Sequence, residues 1–125
     1  EIKQEFRSLD FLVHSAGIFS MGPIASAPLT DFDALYRCNV RAPFAITQAF
    51  LPRLRETRGR LLFVGSIGGR IAGPLLGAYH ASKFALAAMA DTLRAELRPF
   101  GVSVVLIEPG TIATSIFAAI TFHSY

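Results

Sequence analysis

The chain has 125 residues, 52% of them hydrophobic, with twelve basic side chains against nine acidic ones for a net charge of +3. That length accommodates a single domain with a buried core, and no apolar run reaches the ~18 to 20 residues that a membrane span needs. No basic-then-apolar leader opens the sequence, and one cysteine, Cys38, excludes an internal disulfide, so a buried thiol, a reducing compartment and a cytoplasmic location are expected.

Residues 1–7 read as the end of an amphipathic helix, and 9–14 as a short apolar strand closed by a turn at Ala16 and Gly17. Thr30, with Asp33 three residues later, reads as a capping box that opens one long helix through Leu54, irregular near Pro43 and Pro52. Four arginines, Arg53, Arg55, Arg58 and Arg60, end this stretch. Cations there suit the negative end of a helix dipole, and without interleaved aromatics they read as a solvated terminus rather than a nucleic-acid surface. Residues 60–66 form a second buried strand that delivers Ser66 to its carboxyl end, and glycines at 65, 68, 69, 73 and 77 mark the loop beyond. Residues 78–98 carry apolar side chains at Leu86, Met89, Leu93 and Leu97 and stop at Pro99 and Gly101, as a helix does. A third strand, 102–107, ends at Pro109 and Gly110.

Strands alternating with long helices predict the α/β class, with right-handed βαβ units and a Rossmann-like, doubly wound parallel sheet in one domain over 1–125. Such sheets take ligands at the carboxyl ends of their strands. The turn at 14–17, Ser66 and the stretch 109–114 all fall at those ends.

Tyr79 and Lys83 stand at i and i+4, so on a helix their side chains share a face. A free phenol is a poor acid or base at neutral pH, and a fixed ammonium beside a phenol favours its ionised form. Such a pair can move a proton under physiological conditions. Ser66 lies thirteen residues before Tyr79, Asn39 twenty-seven before Ser66, and Pro109-Gly110-Thr111-Ile112-Ala113-Thr114 closes the last strand.

In this order and spacing the chain resembles the short-chain dehydrogenase/reductase family from Leu9 to about Phe117, through its Asn, Ser, Tyr, Lys tetrad and Pro-Gly-x-x-x-Thr loop. The resemblance implies an NAD(P)(H)-dependent oxidoreductase that interconverts an alcohol and a ketone or aldehyde. Tyr79 would then be the general acid or base, and Lys83 would assist it and hold the nicotinamide ribose. Ser66 would hydrogen-bond the substrate oxygen, and Asn39 would position a water that links Lys83 to solvent. Pro109, Gly110, Ile112 and Thr114 would contact the nicotinamide carboxamide, through the Ile112 backbone and the Thr114 hydroxyl. His14-Ser15-Ala16-Gly17 occupies the place of the family's Asn-Asn-Ala-Gly, so Ala16 and Gly17 would border the cofactor. His14 and Ser15 depart from that pattern, and His14 reads as a structural hydrogen-bonding group rather than a base. Residues 116–120 would form a substrate lid that, with Ile71, Leu75 and Leu76, makes the pocket mouth apolar. The family's habits also imply a homodimer or homotetramer, paired through the two long helices.

One expected feature is missing, because neither Gly-x-x-x-Gly-x-Gly nor Gly-x-Gly-x-x-Gly occurs. The pyrophosphate cradle of a dinucleotide site therefore has no counterpart here, and the three strands would be the family's fourth to sixth. The strand around Val13 would then have an unpaired edge, and the choice between NAD and NADP cannot be read. No metal centre is expected. A non-catalytic interaction module is the first alternative. A serine hydrolase using Ser66, Asp91 and His123 is the lesser one, since Val64 stands where a nucleophile elbow needs glycine.

Overall fold

The structure, a computed structural model, describes residues 8–112. Three strands, β1 (Phe11–His14), β2 (Arg60–Val64) and β3 (Ser103–Ile107), form a parallel sheet in the order β1-β2-β3. Phe11 pairs with Arg60 and His14 with Phe63, while Arg60 pairs with Ser103 and Val64 with Ile107. The helices are α1 (Leu29–Tyr36), α2 (Ala42–Thr57) and α3 (Gly77–Leu97), and this is the α/β, Rossmann-like arrangement the strand and helix pattern predicts. Residues 1–7 and the expected lid at 116–120 lie outside the described residues.

Alternation along each strand decides which face is buried. Leu61, Phe63 and Val104 point to one side and join Leu54 of α2 with Leu86, Ala90 and Leu97 of α3 in a single core. Met89 and Leu93, the other two apolar positions of the helical repeat, pack against its margin. On the other face Phe11 is 60% exposed, Val13 55% and Ile107 46%. The described helices therefore cover one side of the sheet.

Two expectations about the first helical stretch are corrected. Thr30 and Asp33 form no capping box: α1 begins at Leu29 behind Pro28, with no side-chain cap bond. The extended backbone of Pro28 aims its carbonyl at the first turn instead, accepting from the Asp31 N–H at 3.0 Å and the Phe32 N–H at 3.4 Å. Nor is the helix continuous to Leu54, because a π segment, Arg37–Arg41, separates α1 from α2. Pro43 explains the break, since it lacks the N–H that an α-helix would direct to the Asn39 carbonyl. Pro52 is accommodated inside α2. Arg58, in the left-handed conformation, ends α2, where the Gly59 N–H donates to the Leu54 carbonyl at 2.8 Å.

Candidate active site

The loops after all three strands meet at the carboxyl edge of the sheet. The Gly65 N–H donates to the Ile107 carbonyl at 2.8 Å and the Ile67 N–H to the Pro109 carbonyl at 3.0 Å, which joins the loop after β2 to the loop after β3. Between these loops and α3 lies a cavity of about 810 Å³. Ser66, Tyr79 and Lys83 line it, as do Gly17, Gly110 and Ile112.

Ser66 has an extended backbone and caps a short 3-10 turn, Ile67–Gly69; its Oγ accepts the Gly68 N–H at 3.0 Å. With one lone pair used in this way, the hydroxyl proton is left to donate into the cavity. Gly69 then brings the turn against α3, because a Cβ there would lie 2.9 Å from the Lys83 carbonyl oxygen. No larger residue fits at that distance without displacing the turn.

Tyr79 and Lys83 occupy the first two turns of α3, both buried. The Lys83 ammonium is 5.7 Å from the centre of the Tyr79 ring, and Phe19 packs edge-on against that ring at 4.6 Å. Burial pushes the Lys83 ammonium below its ordinary range, and Cys38 partly opposes the shift. Cys38 is half-buried rather than fully buried as the sequence reading had it. It sits in the π segment beside Asn39.

Asn39 is buried beneath the cavity. Its Oδ1 accepts the Ile18 N–H at 2.9 Å, while Nδ2 donates to the Ile18 carbonyl and to the Ser82 hydroxyl, each at 3.0 Å. Ser82 in turn donates to the Tyr79 carbonyl at 2.7 Å. Asn39 thereby ties the loop after β1 to the helix that carries Tyr79. Around Gly17, a Cβ would stand 3.5 Å from both Asn39 Oδ1 and Lys83 Nζ, an ordinary contact, so internal packing does not demand glycine there.

The remaining sequence expectations fall as follows. Gly17, Pro109, Gly110 and Ile112 border the cavity; Ala16 does not, and Thr114 lies outside the described residues. His14 points away into the core, where its Nε2 lies 2.9 Å from the Thr47 hydroxyl and its ring stacks on Phe63 at 4.9 Å. Burial lowers its pKa. For the hydrolase reading, Asp91 is engaged on the surface, paired with Arg94 and 3.7 Å from Arg70, while His123 lies outside the described residues. Among the described residues no cluster of His, Cys, Asp or Glu could hold a metal, and no helix is long and apolar enough to cross a membrane.

Sequence reasoning missed Phe19, which touches Tyr79, and His80, whose Nδ1 accepts the Gly73 N–H at 3.2 Å. It also missed the Arg70 to Glu108 ion pair at 2.7 Å, which clamps the loop after β2 to the end of β3. No spacing rule exposes these contacts, because loop closure creates them.

Comparison with known proteins places this arrangement. The sequence model of the family described as short chain dehydrogenase matches residues 1–123. A 3beta-hydroxysteroid dehydrogenase of Caenorhabditis elegans is 37% identical over 116 residues, covering 92% of this chain and 30% of that protein. An NADPH-dependent 3-dehydrocapnine reductase of Ornithobacterium rhinotracheale is 39% identical, covering 89% of this chain and 41% of its own length. Among solved structures, NAD+-bound xylitol dehydrogenase superposes with a TM-score of 0.85 at 27% identity, over 93% of this chain and 45% of that one. The chain thus spans 30% to 41% of these two curated relatives. With its loops gathered at the strand ends as described, and a match along nearly its whole length, the chain belongs to the short-chain dehydrogenase family.

Proposed function

We propose that this chain, as one Rossmann-like domain, supplies the proton-transfer groups of an NAD(P)(H)-dependent oxidoreductase that interconverts an alcohol and a ketone or aldehyde. The observation that carries the reading is the convergence of Ser66, Tyr79 and Lys83 on one cavity at the carboxyl ends of the strands. The names of the relatives, one NADPH-dependent and one NAD+-bound, support a nicotinamide cofactor without choosing between its two forms.

The residues fit the nicotinamide end of such a cofactor. A Cβ at Gly110 would meet nothing within 4 Å, and one at Gly17 would make no contact closer than 3.5 Å, to the Lys83 ammonium and Asn39 Oδ1. Backbone at Pro109, Gly110 and Ile112, with the Thr114 hydroxyl, would hold the carboxamide, and Lys83 the ribose hydroxyls. Gly17, with Ala16 behind it, would border the ring. When bound, the nicotinamide supplies or accepts the hydride.

The chain's own groups manage the proton. In the reducing direction the Ser66 hydroxyl donates a hydrogen bond to the substrate carbonyl oxygen, and Tyr79 delivers its phenolic proton to the same oxygen. The Lys83 ammonium then faces the phenolate that remains. The Asn39 side chain has spent its donors and acceptor on Ile18 and Ser82. Its part in returning a proton would therefore run through its backbone carbonyl, which Pro43 deprives of the usual helical partner and which can hold a water. Ile67, Ile71 and Leu76 in the lining favour an apolar substrate.

Phe44, Ile46 and Phe84 are exposed on α2 and α3, which favours pairing of these helices between copies in a homodimer or homotetramer. A lone half-buried cysteine agrees with a reducing, cytoplasmic setting. The test is Tyr79→Phe in the full-length protein. Turnover should fall at least about a hundredfold while cofactor binding persists, the loss expected for a missing general acid. Turnover at the unsubstituted rate would overturn the mechanism, and retained folding without cofactor binding in the unsubstituted protein would favour the non-catalytic module.

A further inference from the structure

Residues 70–76 form one wall of the cavity, with Ile71, Ala72, Gly73 and Leu76 facing it. Three ties hold this loop. At its start, Arg70 pairs with Glu108 at 2.7 Å. At its end, the Leu75 carbonyl accepts the Gly22 N–H at 2.8 Å, and Leu75 itself has a φ of 67°, a left-handed conformation unusual for a leucine. Such strain persists only where the surroundings enforce it. In the middle, the Gly73 N–H donates to Nδ1 of His80 at 3.2 Å.

The His80 ring is well placed for that third tie. It is 8% exposed, its centre is 6.0 Å from that of Tyr79, and a Cβ on Gly68 would come within 3.3 Å of its Cδ2 and 3.4 Å of its Nε2. The ring is therefore wedged between the Ser66 turn and the loop. Because a backbone N–H can only donate, Nδ1 must be unprotonated and the neutral ring carries its proton on Nε2. Arg70 also lies 3.7 Å from Asp91 of α3 on the exposed surface, and the Leu76 carbonyl accepts the His80 N–H at 2.8 Å, but only the Gly73 tie joins the middle of the wall to the helix that carries Tyr79.

We propose that His80 is a positioning residue: by accepting the Gly73 N–H it fixes the 70–76 loop against α3 and so sets the affinity of the site for the hydrocarbon part of an apolar carbonyl substrate. The kinetic consequence rests on the hydride-transfer reading above; the tie itself does not. Without the acceptor the loop keeps its two ends, where the Ile71 N–H donates to the Ile67 carbonyl at 3.1 Å and the Leu76 carbonyl accepts the His80 N–H at 2.8 Å, but the wall between Ile71 and Leu76 no longer holds one position. Substrate binding weakens while the proton-transfer groups stay in place.

The test compares His80→Leu with His80→Asn in the full-length protein, since an asparagine amide oxygen can stand where Nδ1 stood. In His80→Leu, exchange of the Gly73 amide should quicken and KM for a branched or aromatic ketone should rise, each by about tenfold, the factor one hydrogen bond of ordinary strength carries, with kcat nearly unchanged. His80→Asn should recover both. An unchanged Gly73 exchange in His80→Leu, a loss in kcat with KM unaltered, or failure of His80→Asn to recover the tie would each overturn the proposal. If His80→Leu does not fold, the ¹⁵N spectrum of the unsubstituted ring decides: a proton on Nε2 with Nδ1 as acceptor upholds the tie, and the opposite tautomer refutes it. Should the unsubstituted protein turn over no carbonyl compound, the hydride-transfer reading fails, while Gly73 exchange still judges the tie.

Discussion

Lys83 is the residue at which stability and proposed function pull apart. Burying an ammonium is costly, and the lowered pKa is the measure of that cost. Between the folded value and the ordinary ~10.4 the unfolded chain binds the proton more readily, so stability rises with pH through that window and the full penalty is present below it. Lys83→Met should therefore raise the melting temperature at pH 7 while turnover collapses. A lower melting temperature would mean that contacts of the ammonium outweigh its desolvation. His14 follows the same sign at a different pH. Its pKa is also depressed by burial, so the stability it permits is complete above ~6.5 and is lost as pH falls toward the folded value. His14→Gln, which keeps a group able to reach the Thr47 hydroxyl, should flatten that acid slope in denaturant titrations between pH 5 and 7. The i, i+4 placement of Tyr79 and Lys83 was legible because a helix converts spacing directly into proximity. The contacts of Phe19 and His80 were not, since they join segments whose approach depends on how two loops close.

At the scale of elements, the positions of strands and helices were readable from period and punctuation, and their internal irregularities were not. Thr30 and Asp33 carry the local signature of a helix start, but Pro28 presents its carbonyl to the first turn and moves the start forward. The π segment follows from Pro43, which names the break but not the extra residue that the chain takes up to pass it. That segment holds Asn39 under the loop after β1, so Asn39→Ala should leave the Ile18 N–H and carbonyl unpartnered. A stability loss of about 2 kcal/mol is expected in chemical denaturation, the usual cost of orphaned polar groups. A loss below about 0.5 kcal/mol would show that water takes over both groups. The turn after β2 makes the complementary case. Gly69→Val places a branched side chain against the Lys83 carbonyl oxygen, where even a Cβ would be at 2.9 Å. The turn has to lift from α3 and take Ser66 with it. Stability should fall by about 1 to 3 kcal/mol, as for other overpacked sites, and turnover of the full-length protein should drop more than in Ser66→Ala.

At the scale of the whole molecule, the described residues cover the sheet on one face and leave it bare on the other. Phe11 and Val13 on β1, and Val105 and Ile107 on β3, form an apolar surface flanking Leu62 and Val64 of β2, and the outer edge of β1 has no partner among the described residues. The unpaired outer edge of β1 is the one the sequence reading expects, whereas the uncovered face shows only in the structure, where α2 and α3 lie on the same side. A bare parallel sheet of this kind associates or frays. The 125-residue chain expressed by itself should therefore self-associate, and Val13→Lys with Val105→Lys should shift it toward smaller species in light scattering. The same chain should bind NADH and NADPH weakly, because a dinucleotide draws much of its affinity from backbone N–H groups and the positive helix end at its pyrophosphate, and no glycine-rich turn here provides them. On the proposed reading only the nicotinamide end would find partners, at Gly17, Lys83, Gly110 and Ile112, which line the cavity. Calorimetric titration of the isolated chain should give no saturation below about 1 mM, the range left to a ligand held at one end. A micromolar dissociation constant would show that residues outside the proposed nicotinamide contacts bind the phosphates. Arg37 and Arg41 of the π segment, next to Asn39, would then be the first to replace, and a loss of affinity in Arg41→Ala would locate the phosphate site there.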